Sequence, residues 1–405
     1  MFGEHFQHFL SFGATDQQTV VALADSIDGL LVPGTIAAFQ RKGTGGFVLS
    51  LSASEFNLPY AIDPRFPLFQ QQLATPKKAH ESLAEILGSL ELIRRDRTPL
   101  PLDFKPSLIK TVGERWAEFN RSYSQSSNEF FDKYARRLNE PPLVENAQSP
   151  SVVLPPYLMS YSTGDEWWTI SKSLFDATAG SWDAIDTCVR VVAGLTPEIV
   201  ASNALDVDDS RIAIWVSGLD ELNAQPEALV SYIRAISDLK SSGKSVFALY
   251  GGFFAVLLEK FGLGGASHGI GYGEFRDWRE LPQSGMPPAR YYVPRIHRYL
   301  QPDEATQILI SNPRLIECQC PECAGGPPNT LNYHALMRHS VRCRALEIGT
   351  WSTLDLPQTI DKLQVETTEW LTALNQTRLP PAIISTITSK ASHLGRWIQA
   401  LKLST

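Results

Sequence analysis

Cys318, Cys320 and Cys323 form a C-x-C-x-x-C run, a spacing that can turn three thiolates toward one metal centre at ~2.3 Å from zinc. Tetrahedral closure needs a fourth ligand. The helical sequence that follows offers His334 and His339. Entry from the first turn favours His334, and His339 stays open, with Cys343 and His393 as more distant candidates. Four protein ligands leave no open coordination position, so the zinc expected here is structural. The bland alternative is a set of free or redox-active cysteines. Disulfides fit poorly, because the cysteines number five and three of them crowd into six residues. His334, Arg338 and Arg342 recur at helical spacing, so the zinc would fix a basic helix face, or that face is an ordinary solvated one.

A metal cluster of this kind needs a scaffold. The chain has 405 residues, 43% hydrophobic and 20% charged, with 36 Lys and Arg against 43 Asp and Glu for a formal charge of −7. This composition excludes disordered and fibrous proteins and suffices for a sizeable core without disulfides. No apolar stretch approaches the ~20 residues that span a bilayer, and the start, MFGEHFQHFL, lacks the basic region of a signal peptide. A cytoplasmic chain is expected. The acidic balance argues against indiscriminate coating of nucleic acid and leaves room for a local basic surface.

Short apolar, β-branched runs at 29–32, 47–52, 60–62, 152–154, 188–192, 212–216, 246–250 and 266–270 alternate with helical stretches at 16–26, 165–179, 226–239 and 253–261. Repeated strand, loop and helix predict an α/β fold, a parallel sheet closed into a (β/α)8 TIM-like barrel. The barrel would occupy residues 1–312, with a helical insertion at about 70–142. There Lys77, Lys78, Arg94, Arg95, Arg97, Arg136 and Arg137 are interspersed with Trp116, Phe119, Tyr123, Phe130 and Phe131. That segment reads either as a solvated cap or as a platform for phosphates and unstacked bases. Residues 313–405 form a C-terminal zinc-binding and helical subdomain, with helices at 331–348 and 381–401.

A barrel followed by such a zinc appendage resembles the tRNA-guanine transglycosylase superfamily, whose members exchange guanine for a 7-deazaguanine base. The resemblance runs over about residues 29–347 and rests on GLLVPGT (29–35), AIDPRF (61–66), WVSGLDE (215–221) and the zinc motif with LNYH (331–334). Two acids of the tRNA enzymes are missing, from GASHGIGYGE (265–274) and after LPPYL (154–158). The chain is therefore most similar to the divergent branch that inserts 7-deazaguanines, such as 7-cyano-7-deazaguanine, into DNA.

Exchanging a base with retention requires two displacements at the anomeric carbon, one carboxylate attacking and a second group shuttling the proton. Under this resemblance Asp220 is assigned as nucleophile and Asp63 as general acid/base, with the roles open to exchange. Each directly follows a strand candidate and would meet the other at the C-terminal mouth of the barrel. An aspartate in that position more commonly caps a helix or a turn. Gly218 and Leu219 resemble the backbone that approaches the base, and Gly251 and Gly252 could allow the same close approach or simply make turns. His268 is a candidate contact or a core histidine. Glu274 and Arg276 are further polar groups near the mouth. The implied partners are nucleic acid, DNA before tRNA, a 7-deazaguanine base and proteins of a modification cluster. The target guanine must be extruded from any duplex. A non-catalytic nucleic-acid-binding or partner subunit of the same superfamily is the competing expectation.

Overall fold

The computed structural model describes residues 1–13, 17–125, 128–271, 273–280 and 288–405. Nine strands form one parallel sheet: β1 Gln7–Ser11, β2 Gly29–Pro33, β3 Tyr60–Asp63, β4 Val152–Val153, β5 Met159–Ser160, β6 Arg190–Gly194, β7 Arg211–Val216, β8 Ser245–Ala248 and β9 Leu263–Gly269. Their order is β4-β3-β2-β1-β9-β8-β7-β6-β5. The sheet is curled. Both its edges belong to one stretch of chain, 152–160, whose first half pairs with β3 and whose second pairs with β6. A bridge between Val153 and Cys188, with Val189 N–H donating to the Val153 carbonyl at 2.9 Å, joins the edges. The result is a TIM-like barrel in which LPPYL interrupts one staves-worth of strand, as two consecutive prolines without N–H donors must.

Alternation along the strands separates two cores. Phe9, Leu31, Ala61, Val191, Ala213, Trp215, Phe247 and Leu249 point inward and pack together inside the barrel. Leu10, Leu30, Ile62, Val192, Ile214 and Val246 point outward against the helices. That outer core runs on without a break into Trp351, Leu363, Trp370 and Trp397 of the C-terminal helices.

Most of the expected strands are present, and one is not: FVLSLS at 47–52 ends the Arg41–Ser52 helix. All six of these residues are buried, so no polar face gives the period away, and a short apolar run is ambiguous by pattern alone. The first strand, β1, and the Leu356–Asn375 helix were not anticipated from the sequence. The helix expected at 16–26 is Gln17–Val21, and Asp16 lies outside the described residues.

Between β3 and β4 the chain is helical, at Lys78–Leu87, Leu90–Ile93, Pro106–Tyr123 and Asn128–Ala135. The aromatic platform does not form. Trp116, Phe119, Tyr123 and Phe131 are buried in the outer core, and Trp116 Nε1 donates to the Leu154 carbonyl at 2.7 Å. Arg95 and Arg97 both pair with Asp103. Among the described residues no helix is long and apolar enough to cross a membrane.

Because Trp116 combines complete burial with a hydrogen bond that caps the interrupted strand, Trp116→Ala should lower unfolding free energy by about 3–5 kcal/mol. Leu102→Ala, at an exposed side chain, should change it by about 0.5 kcal/mol or less. Urea denaturation of both variants checks the contrast.

Candidate functional site

Asp63 closes β3 on its inward side and is 0% exposed. Its Oδ1 accepts from the Tyr157 hydroxyl at 2.8 Å and from Arg65 N–H at 3.0 Å. Oδ2 accepts no hydrogen bond and has Arg65 Nε at 3.5 Å. Arg65 sits at φ 49°, a left-handed conformation costly for a residue with a β-carbon, and this turn is what returns its side chain over Asp63. Burial and the nearby Arg276 guanidinium push the pKa of Arg65 down.

Above them lies a small pocket, of about 40 Å³, lined by Thr35, Arg65, Gln71, His80, Trp215, Arg276 and Trp278 among others. Its roof is the segment 273–280, which follows β9. Trp215 Nε1 and Gly218 N–H both donate to the Arg276 carbonyl, at 3.1 and 3.2 Å. Trp278 N–H donates to Ser217 Oγ at 3.0 Å, and Gln71 Nε2 donates to the Trp278 carbonyl at 2.5 Å. Gly218, at φ 71°, permits the turn that meets this segment.

Asp220 lies elsewhere. Its oxygens accept from Leu222 N–H at 3.0 Å and Asn223 Nδ2 at 2.5 Å, the turn-capping role that aspartates commonly fill. It lines a different cleft, of about 250 Å³, with Glu221, Glu274, Arg290 and Arg298 among others. Among the described residues no pocket or contact brings Asp63 and Asp220 together.

Sequence reasoning missed Glu221, whose only prior signal was its place in WVSGLDE. It is 6% exposed, and its Oε2 accepts from Gly252 N–H at 2.9 Å. A β-carbon at Gly252 would lie 2.8 Å from that oxygen and 2.9 Å from Glu274 Oε2, so Gly252 is the gap into which two carboxyl groups fit. Gly251 is similarly confined by Ala255. Burial, then the neighbouring Glu274, push Glu221 up to about 8. Glu274, raised by burial, is held by Arg344 at 2.8 Å. Leu219 packs against the outer core. His268 pairs in register with the outward-facing Leu10, away from the barrel interior, and its Nε2 lies 2.7 Å from His8 Nε2. Burial, then Arg344, lower its pKa to about 3.

At the cysteine cluster the Sγ atoms of Cys318, Cys320 and Cys323 and one nitrogen of His339 lie within 4.8 Å of one another. Cys320 and Cys323 sulfurs are 3.6 Å apart, and His339 Nδ1 is 3.2–3.7 Å from all three sulfurs. Bonds of ~2.3 Å in a tetrahedron give edges of roughly this length. His339 Nε2 lies 2.6 Å from the Tyr292 carbonyl; by donating to it, the ring leaves the Nδ1 lone pair for a metal, the usual outer support of a ligating histidine. The four residues could hold a metal ion such as zinc. His334 is not among them: its Nδ1 is 2.8 Å from Thr19 Oγ1, since five residues earlier on the Tyr333–Trp351 helix the ring lies about 140° round the axis and faces the Gln17–Val21 helix instead. His393 is bound by carbonyls of Lys390 and Ile296. Cys343, one turn beyond His339, puts its sulfur 3.5 Å from Cys318 Sγ. Arg338 and Arg342 both pair with Glu322, so one carboxylate offsets part of the charge on that face.

The sequence matches no protein-family model and no curated protein. Among solved structures the chain is similar to a putative fructose-1,6-biphosphate aldolase from Coccidioides immitis, at 10% identity and TM-score 0.37, covering 85% of this chain and 90% of that one.

Two outcomes follow. Cys320→Ser should remove most bound metal, measured by elemental analysis of purified protein, while His334→Ala should leave it unchanged. A carboxyl raised from 4.5 to about 8 on folding binds a proton in the native state that the unfolded chain releases, so its contribution is whole below pH 4.5 and fades as pH rises through 8. Glu221→Gln should flatten that fall, and its melting temperature should exceed that of the wild type at pH 9.

Proposed function

We propose that the chain is a cytoplasmic, zinc-containing guanine transglycosylase that exchanges a guanine of nucleic acid, DNA before tRNA, for a 7-deazaguanine such as 7-cyano-7-deazaguanine. In this reading segment 152–160 is one interrupted strand, and the barrel is (β/α)8. The observation that carries it is the Asp63 carboxylate, buried at the C-terminal end of β3 with one oxygen free of hydrogen bonds, under a pocket walled by Trp215, Trp278 and two arginines. Catalytic groups of such barrels cluster at this end.

Asp63 then takes the attacking role. Its free Oδ2 bonds to the anomeric carbon as the bond to guanine N9 breaks, the electron pair leaving with the base. The incoming base reverses the step and surrenders its N9 proton, so that one proton is taken and one returned. Tyr157 and Arg65 N–H fix the carboxylate through Oδ1, and the guanidinium groups stabilise charge on the departing ring. The indole walls suit a flat heterocycle. The zinc supplies no reacting group; its cysteines and His339 hold the C-terminal helices.

Labelled guanine supplied with single-stranded DNA, duplex DNA or tRNA tests the reading. Incorporation into DNA by wild-type protein, lost by at least about a hundredfold in Asp63→Asn with metal content and melting temperature retained, supports it. Loss in Asp220→Ala with full activity in Asp63→Asn would return the attack to Asp220. Label in tRNA alone changes the substrate. No label in any polymer leaves a non-catalytic superfamily member.

A further inference from the structure

The pocket over Asp63 carries more positive charge and more idle donors than its own residues use. Arg65 and Arg276 both line it, and the one carboxylate in its wall, Glu280, is exposed. Asp63, behind the wall, makes its ion pair with Arg65. Arg65 Nε is buried without a hydrogen-bond acceptor. Arg276 makes a single hydrogen bond, Nη1 to the Tyr250 hydroxyl at 3.5 Å, and its guanidinium lies 5.9 Å over that ring; among the described residues it has no salt bridge. Trp278 is 8% exposed, and its Nε1, a donor with no acceptor function, is buried without a partner.

Two N–H groups of this pocket, Arg65 Nε and Trp278 Nε1, are buried without a hydrogen-bond acceptor, which is costly, and the Arg276 guanidinium, with no ion pair among the described residues, asks for an anion. Guanidinium forks match the oxygens of phosphate, and an indole N–H can add a third bond.

We propose that this pocket is a phosphate site, with Arg65 Nε, Arg276 and Trp278 Nε1 as its donors, and that the phosphate is the backbone group flanking the nucleotide presented to Asp63. This rests on the base-exchange reading for the identity of the ligand; the anion site itself stands on the unused donors. The alternative source of the same chemistry is a small phosphate monoester.

Trp215 and Trp278 line the pocket, so their fluorescence reports occupancy in the intact chain. A short single-stranded oligonucleotide with one guanine is titrated against the same oligonucleotide bearing an uncharged methylphosphonate beside that guanine, at constant ionic strength. Wild-type protein should bind the charged form about tenfold tighter or better. Arg276→Gln should bind both alike and weakly. In Asp63→Asn the preference should persist even where exchange is lost, which separates failure of this site from failure of the enzymatic reading. Equal binding of the two oligonucleotides by the wild type, or a preference that survives Arg276→Gln, overturns the site. If glycerol phosphate binds with the same Arg276 dependence and more tightly than the oligonucleotide, the polynucleotide assignment is overturned. Inorganic phosphate that competes with the oligonucleotide in the wild type and not in Arg276→Gln supports the site.

Discussion

A fully enclosed guanidinium, that of Arg344, ties the two functional regions together. It donates to Glu274 at 2.8 Å, to Glu347 at 3.0 Å and to the Tyr292 hydroxyl at 3.2 Å. Tyr292 and His297 in turn reach Glu347. A charge taken this far from water is tolerated only when its partners surround it, so each of these groups holds the others in place. Arg344 sits one residue past Cys343 and five past His339 on the Tyr333–Trp351 helix. Glu274 begins the segment that roofs the barrel mouth. The register of the helix that carries His339 and the position of the mouth are therefore one constraint, carried by ionic hydrogen bonds through the protein interior.

This arrangement explains why a metal cluster with no open coordination position could still matter to events at the mouth. The CQCPECAGGPPN stretch is rich in residues that form no regular ladder, and its structure among the described residues is a series of short 3-10 turns. Such a segment has little hydrogen bonding of its own to fix it. Sulfur and imidazole ligands joined through one ion would anchor it to the long helix, and that helix delivers Arg344. Loss of a metal held there would free the turn first; the ionic network around Arg344 is the next contact along the chain of dependence.

What could be read from sequence divides along physical lines. Parallel strands buried on both faces are continuous apolar runs, so β2, β3, β6 and β7 were legible, as was the alternation of strand and helix that makes a barrel. The same all-round burial hid the helix at 47–52. The three cysteines were legible because their spacing is local. His339 was not distinguishable from His334, because both fall in one helical stretch, and only the rotation of the helix decides which ring meets the sulfurs and which meets Thr19. Asp63 and Asp220 looked equivalent as acids after strands. Their difference is tertiary: one closes an inward-facing strand position, and the other caps its own turn.

Glu221 marks the limit of that kind of reading most clearly. Next to Asp220 in sequence, it is turned into the interior while its neighbour faces the cleft, and its consequence comes from Gly252 and Glu274, which are 31 and 53 residues away. No pattern in WVSGLDE distinguishes the two acids. What distinguishes them is that a backbone N–H without a side chain stands opposite one and an asparagine side chain opposite the other. The first environment is dry and keeps the proton; the second is a solvated turn. Two adjacent carboxyl groups thus meet different surroundings, and the pKa of Glu221 is pushed up, to about 8, by burial and by Glu274, which is why the chemistry of this mouth has to be argued from contacts and not from the order of residues along the chain.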